Sequence, residues 1–159
     1  MSATEPGETQ DMAAHEGHGG HGEQVSIRRF AAADSQALKA LWAEVLPDSQ
    51  PHNQPDVVLA AKLAVDDLIV VAEADGELLG SVMAGYDGHR GWLYSVCVKP
   101  SARHRGLGGD LVNAACDLLS LRGCTKVNLQ VRADNAGVVE FYRTLGFDEE
   151  PRISMGRRL

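Results

Sequence analysis

The chain reads as one α/β domain (α+β layered) with a mixed central sheet and helices on both faces. Three observations predict this class. "VVAEADGELLGSVMAGY" places two apolar, strand-like runs around Asp75-Gly76, a pair that favours the type I′ turn of a tight antiparallel hairpin. "WLYSVCV" (92–98) then leads through a glycine-rich loop and a long amphipathic stretch to "KVNLQVR" (126–132), and a strand–helix–strand order adds a parallel pair to the same sheet. With 159 residues, 44% of them hydrophobic, the chain is long enough to bury one sizeable core.

Taken in order, residues 1–24 are rich in Gly, Glu, Ser and Thr and have almost nothing to bury, so a disordered tail is expected there. "VSIRRF" (25–30) is the first strand. "ADSQALKALWAEVL" (33–46) carries Leu38, Leu41, Trp42 and Val45 at helical spacing, with Asp34 or Ser35 as N-cap and Pro47 as stop. "PDSQPHNQP" is a loop and "DVVLAAKLAV" (56–65) a second helix. The hairpin occupies 68–74 and 77–86, and "DGHRG" (87–91) turns the chain into 92–98. Beyond the glycine-rich loop, Leu107, Leu111, Ala115, Leu118 and Leu119 share one helix face that Gly123 terminates. Residues 126–132 alternate Val127, Leu129 and Val131 against Asn128, Gln130 and Arg132. "NAGVVEFYRTLGF" (135–147) is a helix capped by Asn135 and ended at Gly146, and "RISMGRRL" (152–159) is expected to close the sheet as a last strand.

Composition excludes several function classes. The net charge of −7 includes five acidic groups in residues 1–24 (Glu5, Glu8, Asp11, Glu16, Glu23) with no Lys or Arg, leaving −2 for the rest. Such a balance argues against nucleic-acid binding, which needs a basic face. Eleven of the fifteen basic residues nonetheless lie from Arg90 onward, which suits one small anionic ligand. No apolar run is long enough for a membrane span and no signal-peptide pattern opens the chain. Three cysteines (Cys97, Cys116, Cys124), none in a CxxC pair, read as reduced thiols in a cytoplasmic protein. His15, His18 and His21 in the tail lack a rigid scaffold, so no metal is assigned to them.

The chemistry concentrates in "ARHRGLGGDL" (102–111). A P-loop requires Gly-Lys, which is absent, and a dinucleotide fingerprint beginning at Gly106 and Gly108 meets Leu111 where its third glycine belongs. What remains is an anion seat. Free N–H groups at a helix start, the arginines Arg103 and Arg105, and glycines at 106, 108 and 109 let a backbone approach phosphate oxygens closely.

At these residues the chain resembles the GNAT superfamily of acyl-CoA-dependent N-acetyltransferases. "VCVKPSARHRGLGGDLV" carries the V-x-V-x-P-x-x-R-x-x-G-x-G pattern, and "VRADNAGVVEFYRTLGF" is similar to the N-x-x-[A/V]-x-x-x-Y-x-x-x-G-F segment. The hairpin and "DGHRGWLY" look like those of small bacterial members, so the resemblance covers most of residues 25–159. It implies transfer of an acetyl group from acetyl-CoA to a primary amine in a ternary complex, without an acyl-enzyme. It implies a pantetheine arm laid beside Val96, Cys97 and Val98, and a pyrophosphate on the loop Arg103, His104, Arg105, Gly106, Leu107, Gly108 and Gly109. It further implies an oxyanion met by a backbone N–H near Val98, Asn135 on the pantetheine amide, and Tyr142 as the acid that protonates the departing thiolate.

One departure stands out: Gln130 occupies a position where relatives acting on peptide amines often carry a glutamate base, and an amide cannot take a proton from an ammonium. Asp87 and His89 stand in a turn from which they could approach an amine, but Asp and Gly favour such turns for backbone reasons, so no base is named. A domain that binds acyl-CoA as a sensor without turnover is the alternative to the enzyme. The acceptor is an amine on a small molecule or a peptide, and strand edges at the C-terminus leave a homodimer open.

Overall fold

A computed structural model of the protein describes residues 24–159. The expected tail, apart from Gln24, and its three histidines therefore lie outside the described residues. The sheet contains β1 (Ser26–Arg29), β2 (Ile69–Ala74), β3 (Glu77–Tyr86), β4 (Gly91–Val98) and β5 (Val127–Asn128), side by side in that order. Three of its junctions are antiparallel, and β4 with β5 is parallel, so the sheet is mixed as expected. The helices are α1 (Ser35–Val45), α2 (Pro55–Leu63), α3 (Leu107–Ser120) and α4 (Ala136–Thr144).

The turn chemistry follows the sequence closely. Asp75 and Gly76 both take positive φ, 49° and 80°, as a type I′ turn demands. Gly123 and Gly146 end their helices at φ 84° and 85°. Between β3 and β4, Asp87 Oδ1 accepts from the N–H groups of His89 (2.7 Å) and Arg90 (2.6 Å). Those bonds hold its carboxyl below the usual range, which makes it a turn former and a weak base.

Each face of the sheet has its own apolar cluster. On one side Val70, Ala72, Val82, Ala84 and Leu93 pack against Leu111, Val112, Ala115 and Leu119 of α3, with Tyr142 of α4 at the margin. On the other side Ile69, Val71, Leu78 and Cys97 pack against Leu38, Leu41 and Trp42 of α1 and Leu59 of α2. Burying a leucine-sized side chain contributes about 1.5–3 kcal/mol, so these two sets hold both helical layers to the sheet. Arg28 clasps the front of the domain, its guanidinium reaching Asp34 at 2.7 Å and also pairing with Glu73.

Two expectations are corrected. The strand expected over 126–132 pairs only at Val127–Asn128, and residues 152–159 form no strand at all, although their sequence alternates like one. A strand needs a neighbouring edge. Since β5 leaves β4 after two residue pairs, the sheet offers none in line for a closing strand.

Candidate active site

The site is built where β4 and β5 part. Their parallel register runs Gly91 to Val127 and Trp92 to Asn128 and then stops. On its other side β4 continues against β3, but with an extra residue: Ser81 faces Cys97 while Met83 faces Tyr94. Ser95 sits inside this bulge at φ 49°, a left-handed conformation uncommon for serine. The bulge lies just beyond Trp92–Asn128, the last β4–β5 pair, so the end of β4 runs on as a wedge-like opening without β5 beside it.

Backbone parity tells what faces the wedge. Lys99 N–H donates to Leu79 O at 2.8 Å, so in an antiparallel ladder Cys97 is the next residue bonded to β3 and Val98 is not. Val96 and Val98 therefore turn their peptide groups toward the opening. The carbonyl of Val98 confirms the direction, because it accepts from Arg103 Nε at 3.1 Å.

Immediately beyond lies the loop. His104 and Gly106 take positive φ, 61° and 80°, and Gly106 is the N-cap of α3. Gly109 and Asp110 donate back to Gly106 O at 3.0 and 3.1 Å, while Leu107 and Gly108, at the first helical positions, have no intrahelical acceptor. Together they present a concave run of N–H groups at the positive end of a 14-residue helix, suited to phosphate oxygens. Arg103, His104 and Arg105 are exposed around it, and Leu107 is buried beneath.

The glycines divide their duties. A Cβ on Gly106 would meet nothing within 4 Å, so that residue serves conformation and open access. A Cβ on Gly108 would lie 3.2 Å from Phe141 Cζ, and one on Gly109 3.4 Å from Leu145 Cδ2. These two let α4 pack closely on α3, a packing role beyond the ligand approach expected of them. Arg103 has a second duty as well, since its Nε pins the end of β4.

α4 brings the remaining candidates. Asn135 caps it, Oδ1 accepting from Val138 N–H at 3.3 Å, and stays exposed. Tyr142 is 8% exposed and stands edge-on to Phe141 (5.0 Å between ring centres) and Phe147 (5.6 Å). Burial pushes its hydroxyl up to about 12. No buried side-chain oxygen among the described residues lacks a partner, and the Tyr142 hydroxyl bonds to no other residue, so its tip stays in contact with solvent.

Cys97 is no nucleophile. It points to the α1 side, within 3.5 Å of Ser81 Oγ, which in turn accepts from Trp42 Nε1 at 2.9 Å. Burial raises its thiol, against the small lowering effect of the Ser81 contact. This buried trio and the Ser95 bulge are features the sequence reading did not single out. Gln130 is exposed and donates from Nε2 to Ser154 Oγ at 2.6 Å.

The arrangement is matched by known proteins. A model of the Acetyltransferase (GNAT) family fits residues 35–147. This chain belongs to that family. An acetyltransferase of Pectobacterium atrosepticum is 41% identical over 136 residues, 85% of this chain and 96% of the relative. One of Yersinia enterocolitica is 39% identical over the same shares. Among solved structures, the aminoglycoside N-acetyltransferase AAC(6')-Iy in complex with CoA superposes with a TM-score of 0.73 at 21% identity, covering 89% of this chain and 99% of that one. The ribosomal-protein-S18-alanine N-acetyltransferase of Escherichia coli gives 0.69 at 22% identity, covering 80% and 79%. This GNAT domain is thus an acetyl-CoA-dependent N-acetyltransferase, with acetyl-CoA as co-substrate. None of its described helices is long and apolar enough to cross a membrane.

Proposed function

We propose that this GNAT protein transfers the acetyl group directly to a primary amine within the wedge between β4 and β5, using Tyr142 and the Val98 N–H. The observation that carries the reading is the wedge itself: the β4–β5 ladder stops after Trp92–Asn128, and β4 runs on without that neighbour to the loop that opens the positive end of α3. Val96 and Val98 supply strand-like donors and acceptors for an extended pantetheine arm. The N–H groups of the loop from Arg103 to Gly109 receive the pyrophosphate, with the side chains of Arg103 and Arg105 adding charge-assisted bonds. Asn135 retains its Nδ2 for the pantetheine amide while Oδ1 caps α4.

In the reaction the neutral amine nitrogen bonds to the thioester carbon, and the carbonyl electron pair moves onto oxygen. The Val98 N–H faces that oxygen and stabilises its charge. As the electrons return, the carbon–sulfur bond breaks. Tyr142 gives its proton to the departing sulfur and regains one through solvent as the amine nitrogen releases its own. A phenol near 12 stays protonated at neutral pH, which is the state a donor needs.

No carboxylate stands at position 130, so the protein selects the small fraction of acceptor that is already neutral. That favours activity rising with pH toward the acceptor's own pKa. A cytoplasmic location fits its cysteines, since Cys97, Cys116 and Cys124 are all free thiols. The acceptor is a small-molecule or peptide amine.

Incubation with acetyl-CoA and a panel of amines, monitored by release of free thiol, tests the reading. One amine should accelerate release well above the basal rate. Tight acetyl-CoA binding with no acceleration by any amine would replace the enzyme with an acyl-CoA sensor.

A further inference from the structure

Among the described residues Ser81 is the only buried serine, threonine, amide or charged side chain, and its exposure is 0%. It stands on β3 beneath α1 and is held from two sides. Its Oγ accepts from Nε1 of Trp42 on α1 at 2.9 Å and lies 3.5 Å from Sγ of Cys97 on β4. Trp42 and Cys97 are buried as well, so the link runs through the interior between α1 and the sheet. Such a link adds little net stability, because apolar groups of the same shape in place of both partners would hold nearly as well. What it adds is direction. In a closed site, a hydroxyl fixed by one donor sets the place of its other neighbour.

That neighbour adjoins the peptide that does the chemistry. The Val98 N–H that faces the wedge belongs to the Cys97–Val98 peptide, whose planar trans geometry sends its C=O the opposite way, toward β3. The carbonyl packs on Gly80, where an added Cβ would come within 2.7 Å of Cys97 O. Two successive residues of β3 thus serve one peptide. Gly80 leaves room for its oxygen, and Ser81 meets the side chain of Cys97.

The ladder alone holds Cys97 over a short span. Behind it, the pair that follows Ser81–Cys97 is Met83–Tyr94, with two residues of β4 set against one of β3 and Ser95 left-handed at φ 49°. Ahead of it, Lys99 N–H donates to Leu79 O at 2.8 Å and the chain turns into the loop. No ladder flanks this part of β4 on the wedge side, since the pairing with β5 stops at Asn128. Cys97 to Lys99 therefore hang between a bulge and a turn.

We propose that Ser81 is a positioning residue for acetyl transfer: its hydroxyl, anchored by Trp42, holds Cys97 so that the Cys97–Val98 peptide presents its N–H to the thioester oxygen. The proposal rests on the assignment of that N–H to the oxyanion made above. With no exposed surface, Ser81 meets neither substrate itself and acts through Cys97.

Infrared spectra of bound acetyl-CoA, carrying a heavy carbon isotope at the thioester carbonyl, read this position without any acceptor. A hydrogen bond from Val98 polarises the C=O, so its band should lie at lower wavenumber than that of free acetyl-CoA. Ser81→Ala should lose most of that shift, and Ser81→Thr, which keeps a hydroxyl on the same carbon, should restore it. Affinity for acetyl-CoA should stay within about threefold in both, because the start of α3 carries the pyrophosphate. In thiol release with an accepted amine, Ser81→Ala should lower kcat about tenfold or more, toward the roughly 10²-fold that a misplaced reacting group costs, with little change in KM for acetyl-CoA. Trp42→Phe should reproduce the loss, and the double variant should be no worse than either single one, as groups on one path behave. A merely structural role would lower the urea midpoint and leave the band where it is. An unmoved band in Ser81→Ala overturns the proposal. Loss of the shift in Ser81→Thr as in Ser81→Ala also overturns it, because side-chain volume and not the hydroxyl would then be the cause. Absence of any shift in the parent protein removes Val98 as the donor, and the positioning role with it, which tells a failure of that assignment from a failure of Ser81 alone.

Discussion

At the scale of single residues, Tyr142 carries the sharpest consequences. Its ring lies between Phe141 and Phe147, and removing the hydroxyl leaves that packing intact. Tyr142→Phe should lower kcat by about 10²-fold, the low end for loss of an acid group, with little change in the KM for acetyl-CoA. Unchanged kcat would remove the assigned role. The same hydroxyl links stability to pH. An unfolded tyrosine titrates near 10 and the folded one near 12, so the native state holds its proton more tightly. The resulting stabilisation is complete below about 10 and is lost as pH rises through about 12. Urea midpoints measured across that window should fall more steeply for the parent protein than for Tyr142→Phe. Equal slopes would mean that burial of the Tyr142 side chain does not raise its hydroxyl.

At the scale of elements, two glycines with different surroundings separate space from conformation. A Cβ on Gly80 would come within 2.7 Å of Cys97 O and 2.9 Å of Leu111 Cδ1, so Gly80→Ala must push β3 off β4 or α3 off the sheet. Overpacking of that kind costs about 1–3 kcal/mol. Gly106→Ala has open space around it and only its φ of 80° to contend with, at about 1–2 kcal/mol. Urea unfolding of the two variants should show the Gly80 change to be the more damaging to the fold, and the Gly106 change the more damaging to acetyl-CoA affinity per unit of stability lost. Local chemistry explains what was legible in advance. Asp75-Gly76, the leucine face of α3 and the stop at Gly123 each act through nearest neighbours, and each could be read from the letters alone. The start of α3 at Gly106 was legible too, because a glycine before an amphipathic run supplies the positive φ that stands there. The Ser95 bulge was not, since no residue type at that position requires a left-handed backbone; it follows from fitting β4 to β3 on one side and to nothing on the other. The ends of the sheet were misread for the same reason. Residues 129–132 and 152–159 have strand-like alternation, but pairing depends on an edge that only the assembled sheet can provide or withhold.

For the whole molecule, the wedge implies that co-substrate binding is also structural. Two helical layers grip β1 to β4 from both faces, whereas β5 contributes only two ladder positions. The far side of the wedge is therefore the least supported part of the fold, and it is where local opening should concentrate. An extended ligand bonded to Val96 and Val98 on one side, and held at the start of α3 on the other, would act as the missing strand. It binds the folded chain and not the unfolded one, so it stabilises by mass action: about 2.7 kcal/mol at a hundredfold excess over Kd. For a domain of this size each kcal/mol raises Tm by roughly 2–4 °C, which predicts a rise of about 5–10 °C with saturating acetyl-CoA. Arg103→Ala should blunt that rise at any fixed concentration, because it removes both a cation beside the loop and the Nε bond that pins the end of β4. Hydrogen exchange should locate the effect. The amides of Val96, Val98 and the N-terminal turn of α3 should slow on binding, while those of β1 and β2, already buried in the ladder, should change little. A Tm rise with protection spread evenly over all five strands would show that the ligand tightens the domain as a whole and that the wedge is not its seat.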